Sequence, residues 1–275
     1  MTTVFDKTQS RAKGIHIQNV GKMYYPPNGD PVEALKPVKL DIKPGEFLAV
    51  IGPSGCGKST LLNIVAGFEQ ATAGSVLVDG VKVDKPDIDR GMVFQQYALF
   101  PWLNVRQNVE FGLKQLKVPE EQRAAIVKSF LELVGLQDFS EASTHSLSGG
   151  MKQRVALARV FCTNPSIILM DEPFGALDAL TRSMLQQELL SIWQEYEKTV
   201  MLITHSVQEA LVLANRIVVM TSRPGRIKLD MTVDLPYPRD SKSAEFRTLE
   251  AEILSELTDE IAKSYGCNPP SVTAD

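Results

Sequence analysis

Eight residues constrain this chain more than any others: Gly52-Pro53-Ser54-Gly55-Cys56-Gly57-Lys58-Ser59 match G-x-x-x-x-G-K-[ST] directly after the apolar run Phe47-Leu48-Ala49-Val50-Ile51. A buried strand that runs into a glycine-rich turn and then a helix makes a phosphate-binding loop. The glycines let the backbone curl so that its N–H groups point inward at an anion, and a helix beginning near Lys58 adds the positive end of its dipole. Lys58 is placed to reach the β- and γ-phosphates, and Ser59 to hold Mg²⁺. Thr60-Leu61-Leu62-Asn63-Ile64-Val65-Ala66 continues as the required helix.

The rest of the chain must supply a sheet for that loop. Ile15 to Val20 alternate like a strand, and Tyr24 to Pro31 form a turn-rich connection. Further β-like runs are Ser75–Asp79, Gly91–Phe94, Ile167–Met170, Val200–Thr204 and Arg216–Met220. Several are continuously apolar, as parallel strands covered on both faces are, and helical patterns separate the later ones. The reading is an α/β core with a mainly parallel sheet.

Between about residues 97 and 160 the strand signals stop. Pro119-Glu120-Glu121 opens a helix with Ile126, Phe130, Leu133 and Val134 on one face, and a second helix starts near Ser148. This is a helical insertion. The tail from Ser243 to Tyr265 is also helical, with Phe246, Leu249, Ile253, Leu257 and Ile261 on a stripe that packs on its own protein or, as the lesser option, on a membrane or partner surface.

Charge and composition narrow the partners. A net charge of −4 and a pI near 5.6 argue against nucleic acid as the main partner. No apolar run approaches the roughly 18 residues that span a bilayer, and Met1–Lys7 lacks a secretory apolar region, so the chain is expected in the cytosol. Cys56, Cys162 and Cys267 are too few and too scattered for a disulfide framework or a thiolate metal site. Cys56 reads either as a small filler of the loop or as a thiol made reactive by the helix start.

Two further segments carry chemistry. Ile167-Ile168-Leu169-Met170-Asp171-Glu172 is an apolar strand ending in acid. Asp171 there can hold the Mg²⁺ shell, and Glu172 can orient or deprotonate a water for in-line attack on a γ-phosphorus. Leu147-Ser148-Gly149-Gly150 offers a second helix start, with Ser148 as N-cap and N–H groups bare at the glycines. It lies ninety residues beyond Lys58. Two anion sites in one chain make most sense if a second copy brings its Ser148 site to this copy's Lys58 site.

Together these segments, with Gln95 after Gly91-Met92-Val93-Phe94 and His205 after Leu202-Ile203-Thr204, come in the order of the ATP-binding cassette (ABC) ATPases, which the chain resembles closely over about residues 15 to 230. Gly67-Phe68, Leu99-Phe100-Pro101-Trp102, Met151, Asp171 to Asp178 and Arg223-Pro224-Gly225-Arg226 resemble the nitrate, taurine and alkanesulfonate importers. The resemblance implies a P-loop NTPase core with a mainly parallel sheet, an antiparallel β subdomain and an inserted α-helical subdomain at about 97–160. It also implies a largely helical extension over 231–275.

By the same resemblance, Tyr24 stacks on adenine, with Tyr25 as the alternate, and Gly52 to Thr60 with Lys58 hold the phosphates. Ser59, Gln95 and Asp171 serve Mg²⁺. Gln95 also touches the attacking water, Glu172 is the base and His205 contacts the γ-phosphate. Ser148, Gly149, Gly150 and Asp178 act on the nucleotide of the opposite subunit of a homodimer. The implied activity is ATP hydrolysis that energises uptake of a small solute through an integral membrane permease fed by a solute-binding protein, on the cytoplasmic side of the membrane. Tyr97 to Trp102 is the expected permease-docking segment. Met151 stands where glutamine is commoner and Ser206 where aspartate is frequent, but neither change removes a phosphate ligand. The rival reading is a soluble ABC-type ATPase in a non-transport process, though such proteins commonly carry two cassettes or a coiled-coil insertion that this chain lacks.

Overall fold

The computed structural model describes residues 11–265, so Met1–Lys7 and Cys267 lie outside the described residues. The described chain divides into two compact units. One contains Gly14–Lys85 and the chain from Met201 onward; the other contains Pro86–Val200 with the residues up to Lys13.

The first unit holds an antiparallel sheet and the strands that present the phosphate loop. In the antiparallel sheet the order is β2-β1-β4-β5, formed by β1 (Ile15–Tyr24), β2 (Val32–Ile42), β4 (Ala73–Val78) and β5 (Val81–Lys82). The second set runs β10-β9-β3-β8, from β3 (Phe47–Ile51), β8 (Thr199–Ile203), β9 (Arg216–Met220) and β10 (Ile227–Thr232). β3 and β9 pair in parallel, Leu48 opposite Arg216 and Ile51 opposite Val219, whereas β10 returns antiparallel to β9. Every residue of β3 and β8 is buried, which is why these strands are apolar without alternation. Helices α1 (Lys58–Ala66), α6 (Val207–Leu213) and α7 (Ala244–Tyr265) complete the unit.

The tail helix forms as its periodicity predicts, but its buried stripe ends differently. Phe246, Ile253 and Leu257 are buried, yet Ile261 is exposed and Glu260 takes the inward place at 3% exposure. Three or four residues after Leu257 both satisfy a 3.6-residue period, and pairing decides for Glu260, whose carboxylate meets Lys228 and Ser222.

The second unit holds a parallel pair, β6 (Arg90–Val93) beside β7 (Ile167–Asp171), and helices α2 (Val105–Gln115), α3 (Glu120–Leu133), α4 (Gly149–Phe161) and α5 (Ala179–Tyr196). α2 opens on a reciprocal cap: Asn104 Oδ1 accepts from the Gln107 N–H at 2.8 Å and Gln107 Oε1 accepts from the Asn104 N–H at 3.0 Å. The buried side of α3 and its C-cap is Val127, Phe130, Leu131 and Val134, whereas Ile126 and Leu133 are only half-buried, a one-residue rotation from the expected face. Glu110 explains it. This buried carboxylate on α2 receives Arg123 of α3 at 2.9 Å and Lys114 at 3.0 Å, which fixes how α3 turns. Burial alone would raise the acid's pKa; the two cations outweigh it and hold it low.

Candidate ATP site

In the first unit the phosphate loop is drawn tight on itself. Lys58 is 7% exposed, and its ammonium donates to the carbonyls of Gly52 at 2.8 Å and Pro53 at 2.9 Å. Gly57 has φ +99, and a Cβ there would lie 2.6 Å from Leu35 Cδ2. Only glycine fits that corner, which lets α1 start with its N–H groups turned toward the loop. No side chain caps this helix and its first turn carries no acid, so those donors suit an outside anion.

Cys56 is fully buried, and burial pushes its thiol pKa up despite the nearby Lys58 ammonium. Burial and the raised pKa fit the filler reading of Cys56 rather than the reactive thiol. At the rim, the Tyr24 hydroxyl lies 3.2 Å from Thr60 Oγ1 and Lys22 Nζ sits 5.0 Å from the ring centroid. Tyr24 is 38% exposed and Tyr25 71%, so Tyr24 is the tyrosine tied to α1. Burial raises the Tyr24 phenol. His205 is exposed just beyond β8, and Ser206 caps α6 by accepting from the Glu209 N–H at 3.2 Å. A serine in place of aspartate there keeps the cap.

In the second unit Gln95 and Glu172 are brought together. The parallel register sets Val93 opposite Met170, and two residues further along each chain Gln95 Nε2 donates to Glu172 Oε2 at 3.1 Å. Asp171 ends β7 almost buried. Glu172 adopts φ +47, a left-handed conformation that costs a non-glycine residue about 1 kcal/mol.

After Gln95 the backbone turns left-handed twice, at Tyr97 (φ +53) and Ala98 (φ +46). Arg159 of α4 secures both, donating to the Ala98 carbonyl at 2.6 Å and the Tyr97 carbonyl at 3.1 Å, with its guanidinium 5.5 Å from the Phe100 ring. Phe100 packs 5.5 Å from Trp102 and 4.5 Å from Phe111, and Trp102 is 75% exposed. No sequence signal points to Arg159, because an arginine bonding distant carbonyls has no local pattern.

Ser148 caps α4 by accepting from the Met151 N–H at 3.2 Å, and Asp178 caps α5 by accepting from the Thr181 N–H at 3.0 Å. That backbone donor lowers the Asp178 pKa. Ser148 and Gly149 are exposed. A Cβ on Gly149 would meet the Tyr97 hydroxyl at 3.0 Å. The structure thus joins Gln95 with Glu172, Lys58 with Gly52 and Pro53, and Tyr24 with Thr60.

Residues 35–175 match the family model described as ABC transporter. The chain is 51% identical over 250 residues to an uncharacterized ABC transporter ATP-binding protein of Methanocaldococcus jannaschii, covering 91% of this chain and 93% of that one. It is 50% identical to the taurine import ATP-binding protein TauB of Roseobacter denitrificans, over 90% of this chain and 94% of the relative. Among solved structures, a dimeric ATP-binding cassette in a post-hydrolysis state bound to ADP and Pi superimposes with a TM-score of 0.74 at 35% identity. That match covers 81% of this chain and 100% of the other.

Proposed function

The chain belongs to the ABC transporter family as an ATPase, and from that premise we propose that it powers an importer for a small anion, taurine first and nitrate or an alkanesulfonate next. The observation that carries the chemistry is the Gln95–Glu172 hydrogen bond at the strand end of a chain that also carries a closed phosphate loop. The taurine import relatives, about half identical over nine-tenths of the chain, support the solute.

In this reading Tyr24 stacks on adenine, and the N–H groups of Gly52 to Thr60 with the Lys58 ammonium hold the phosphates. Ser59, Gln95 and Asp171 are oxygen donors suited to Mg²⁺, which binds with few protein ligands and shares the nucleotide's phosphates. When bound, Mg²⁺ neutralises charge on the β- and γ-phosphates. Glu172 takes a proton from the water that attacks the γ-phosphorus, Gln95 orients that carboxylate and the water, and His205 donates to the γ-phosphate oxygens.

The exposed Ser148, Gly149 and Asp178, with half-buried Gly150, serve the nucleotide of a second copy, so ATP joins two chains and hydrolysis releases them. No described helix is long and apolar enough to cross a membrane. A permease seated on Tyr97 to Trp102 places the chain peripherally on the cytoplasmic face and converts opening and closing into alternating access. A solute-binding protein delivers the solute, and nucleic acid has no part. The domain division proposed is a cassette over 15–230, with its helical subdomain at about 97–160, and a helical extension over 231–275.

Two measurements test this. The chain should co-purify with an integral membrane permease, and cells lacking it should lose uptake of labelled taurine, nitrate or alkanesulfonate. Full uptake of all three by such cells would overturn the solute proposed.

A further inference from the structure

Arg223-Pro224-Gly225-Arg226 lies in a tight loop after β9, in the same unit as the phosphate loop. Thr221 closes the loop, its N–H donating to the Arg226 carbonyl at 2.9 Å and its Oγ1 accepting from the Arg226 N–H at 3.2 Å. Gly225 laces the loop to β2, donating to the Ala34 carbonyl at 2.9 Å and accepting from the Lys36 N–H at 3.0 Å.

One side of this loop touches the phosphate loop. Arg223 Nε donates to the Gly55 carbonyl at 3.2 Å, and a Cβ on Gly225 would collide with the Cys56 carbonyl oxygen. The other side is held by α7. Buried Glu260 Oε2 accepts from the Ser222 N–H at 3.1 Å and its hydroxyl at 3.4 Å, while Oε1 lies 3.2 Å from Lys228 Nζ. Lys228 also meets Glu256 at 2.9 Å.

Peptide planarity gives this contact its consequence. The Gly55 carbonyl and the Cys56 N–H belong to one rigid plane, so a donor that holds the carbonyl also fixes where the N–H points. Gly55 has φ +74 and no side chain, and the Cys56 N–H makes only a long bond within the loop, 3.4 Å to the Pro53 carbonyl, so the Arg223 bond is the shorter of the two that hold that plane. An anion nest works only if its N–H groups converge.

We propose that Arg223 is a positioning residue for ATP binding, holding the Gly55–Cys56 peptide toward the phosphates, and that Glu260 of α7 holds Arg223's loop in place. The proposal rests on reading Gly52 to Ser59 as the phosphate loop. It gives the C-terminal helix a direct line to nucleotide affinity.

The test uses the purified full chain, reading the Kd of a fluorescent ATP analogue together with KM and kcat for MgATP. Arg223→Gln places its amide nitrogen as many bonds from Cα as the arginine Nε, so it keeps the donor and removes the charge. Arg223→Lys keeps the charge and has carbon at that position; Arg223→Met has neither. Met and Lys should raise Kd and KM about five- to tenfold, as expected for one lost hydrogen bond. Gln should stay within about twofold of the parent chain, and kcat should hardly change in all three.

Glu260→Leu should raise Kd in the same direction, and combined with Arg223→Met it should add little, since both act through one loop. Arg223 is exposed, so its series reads out whether or not Glu260→Leu folds. Unchanged affinity in Arg223→Met, or no recovery in Arg223→Gln, overturns the proposal. Unchanged affinity in a folded Glu260→Leu overturns the link to α7. Lys58→Ala is the control: ATP binding that survives it defeats the phosphate-loop reading itself, and the proposal with it.

Discussion

The phosphate loop and the Ser148 segment are both glycine-rich helix starts, and they are built in opposite ways. At the first, Lys58 is buried, its ammonium is spent on loop carbonyls, glycine caps the helix and Leu35 walls the corner. At the second, Ser148 and Gly149 face outward and the serine hydroxyl already caps its own helix. The first loop, with Lys58 and Cys56 buried and Ser54, Gly55 and Ser59 exposed, carries its anion-seeking donors within itself. An exposed, self-satisfied helix start adds little until another surface is pressed against it. The contrast teaches that binding and turnover should separate cleanly on mutation.

The largest separation is expected at Glu172. Glu172→Gln should cut kcat by about 10²–10⁴-fold while leaving ATP affinity near the parent value. A variant that hydrolyses ATP almost normally in a steady-state phosphate-release assay would remove Glu172 from the chemistry. Next comes Ser148→Arg, which puts bulk and charge on the exposed helix start. Turnover should fall by about 10²-fold or more, with nucleotide binding to the single chain retained. Full activity there would break the contrast, since it would mean that this surface never closes on anything.

Lys58→Ala should strike binding itself, weakening ATP by about 10–100-fold in a fluorescence titration, the range of a charge-assisted hydrogen bond. Gly57→Ala sharpens the structural half of the comparison. A methyl group placed 2.6 Å from Leu35 in a left-handed conformation should cost about 1–3 kcal/mol of unfolding free energy. The same change at Gly80, where nothing lies within 4 Å although φ is also positive, should cost less.

The smallest effect is a pH dependence in the unit that carries Glu172. Lys198 is buried and its pKa is pulled down to about 8 by burial, with the Asp89 charge opposing. Asp89's own pKa is pushed up by burial, but bonds from Lys13 and Ser166 prevail and keep it low. Between about pH 8 and the ordinary 10.5 the unfolded chain holds a proton that the folded chain has lost, so stability from this lysine rises with pH. In paired denaturation curves, the parent chain should gain on Lys198→Met across that window. A constant difference would mean that Lys198 titrates normally.

Strands β3, β7 and β9 are legible in the sequence because they are short and apolar, with β3 running into Gly52 and β7 ending in Asp171. Long β2 is harder to read, since only Val38 to Ile42 alternate strictly between buried and exposed, while Pro37 and the residues before it break the pattern. α2 escapes the periodicity reading although Asn104 and Gln107 carry its cap signature. Helix existence is readable at α3 and α7, but rotation is not, because Glu110 and Glu260 choose the buried face through partners far away in sequence. At the site, residue types and order are visible in motifs. The contacts that aim them are not, since Arg159 and Arg223 each act through a single bond to a remote carbonyl or a pair of them.

Arg159 has a wider consequence. Its guanidinium is anchored in α4, the helix that Ser148 opens, and grips the two left-handed peptides that follow Gln95. Tyr97 and Ala98 are therefore tied to α4 through Arg159's two bonds, and α4 to them. Gln95 and the exposed Ser148 are thus joined through one side chain, Arg159, and the backbone it holds.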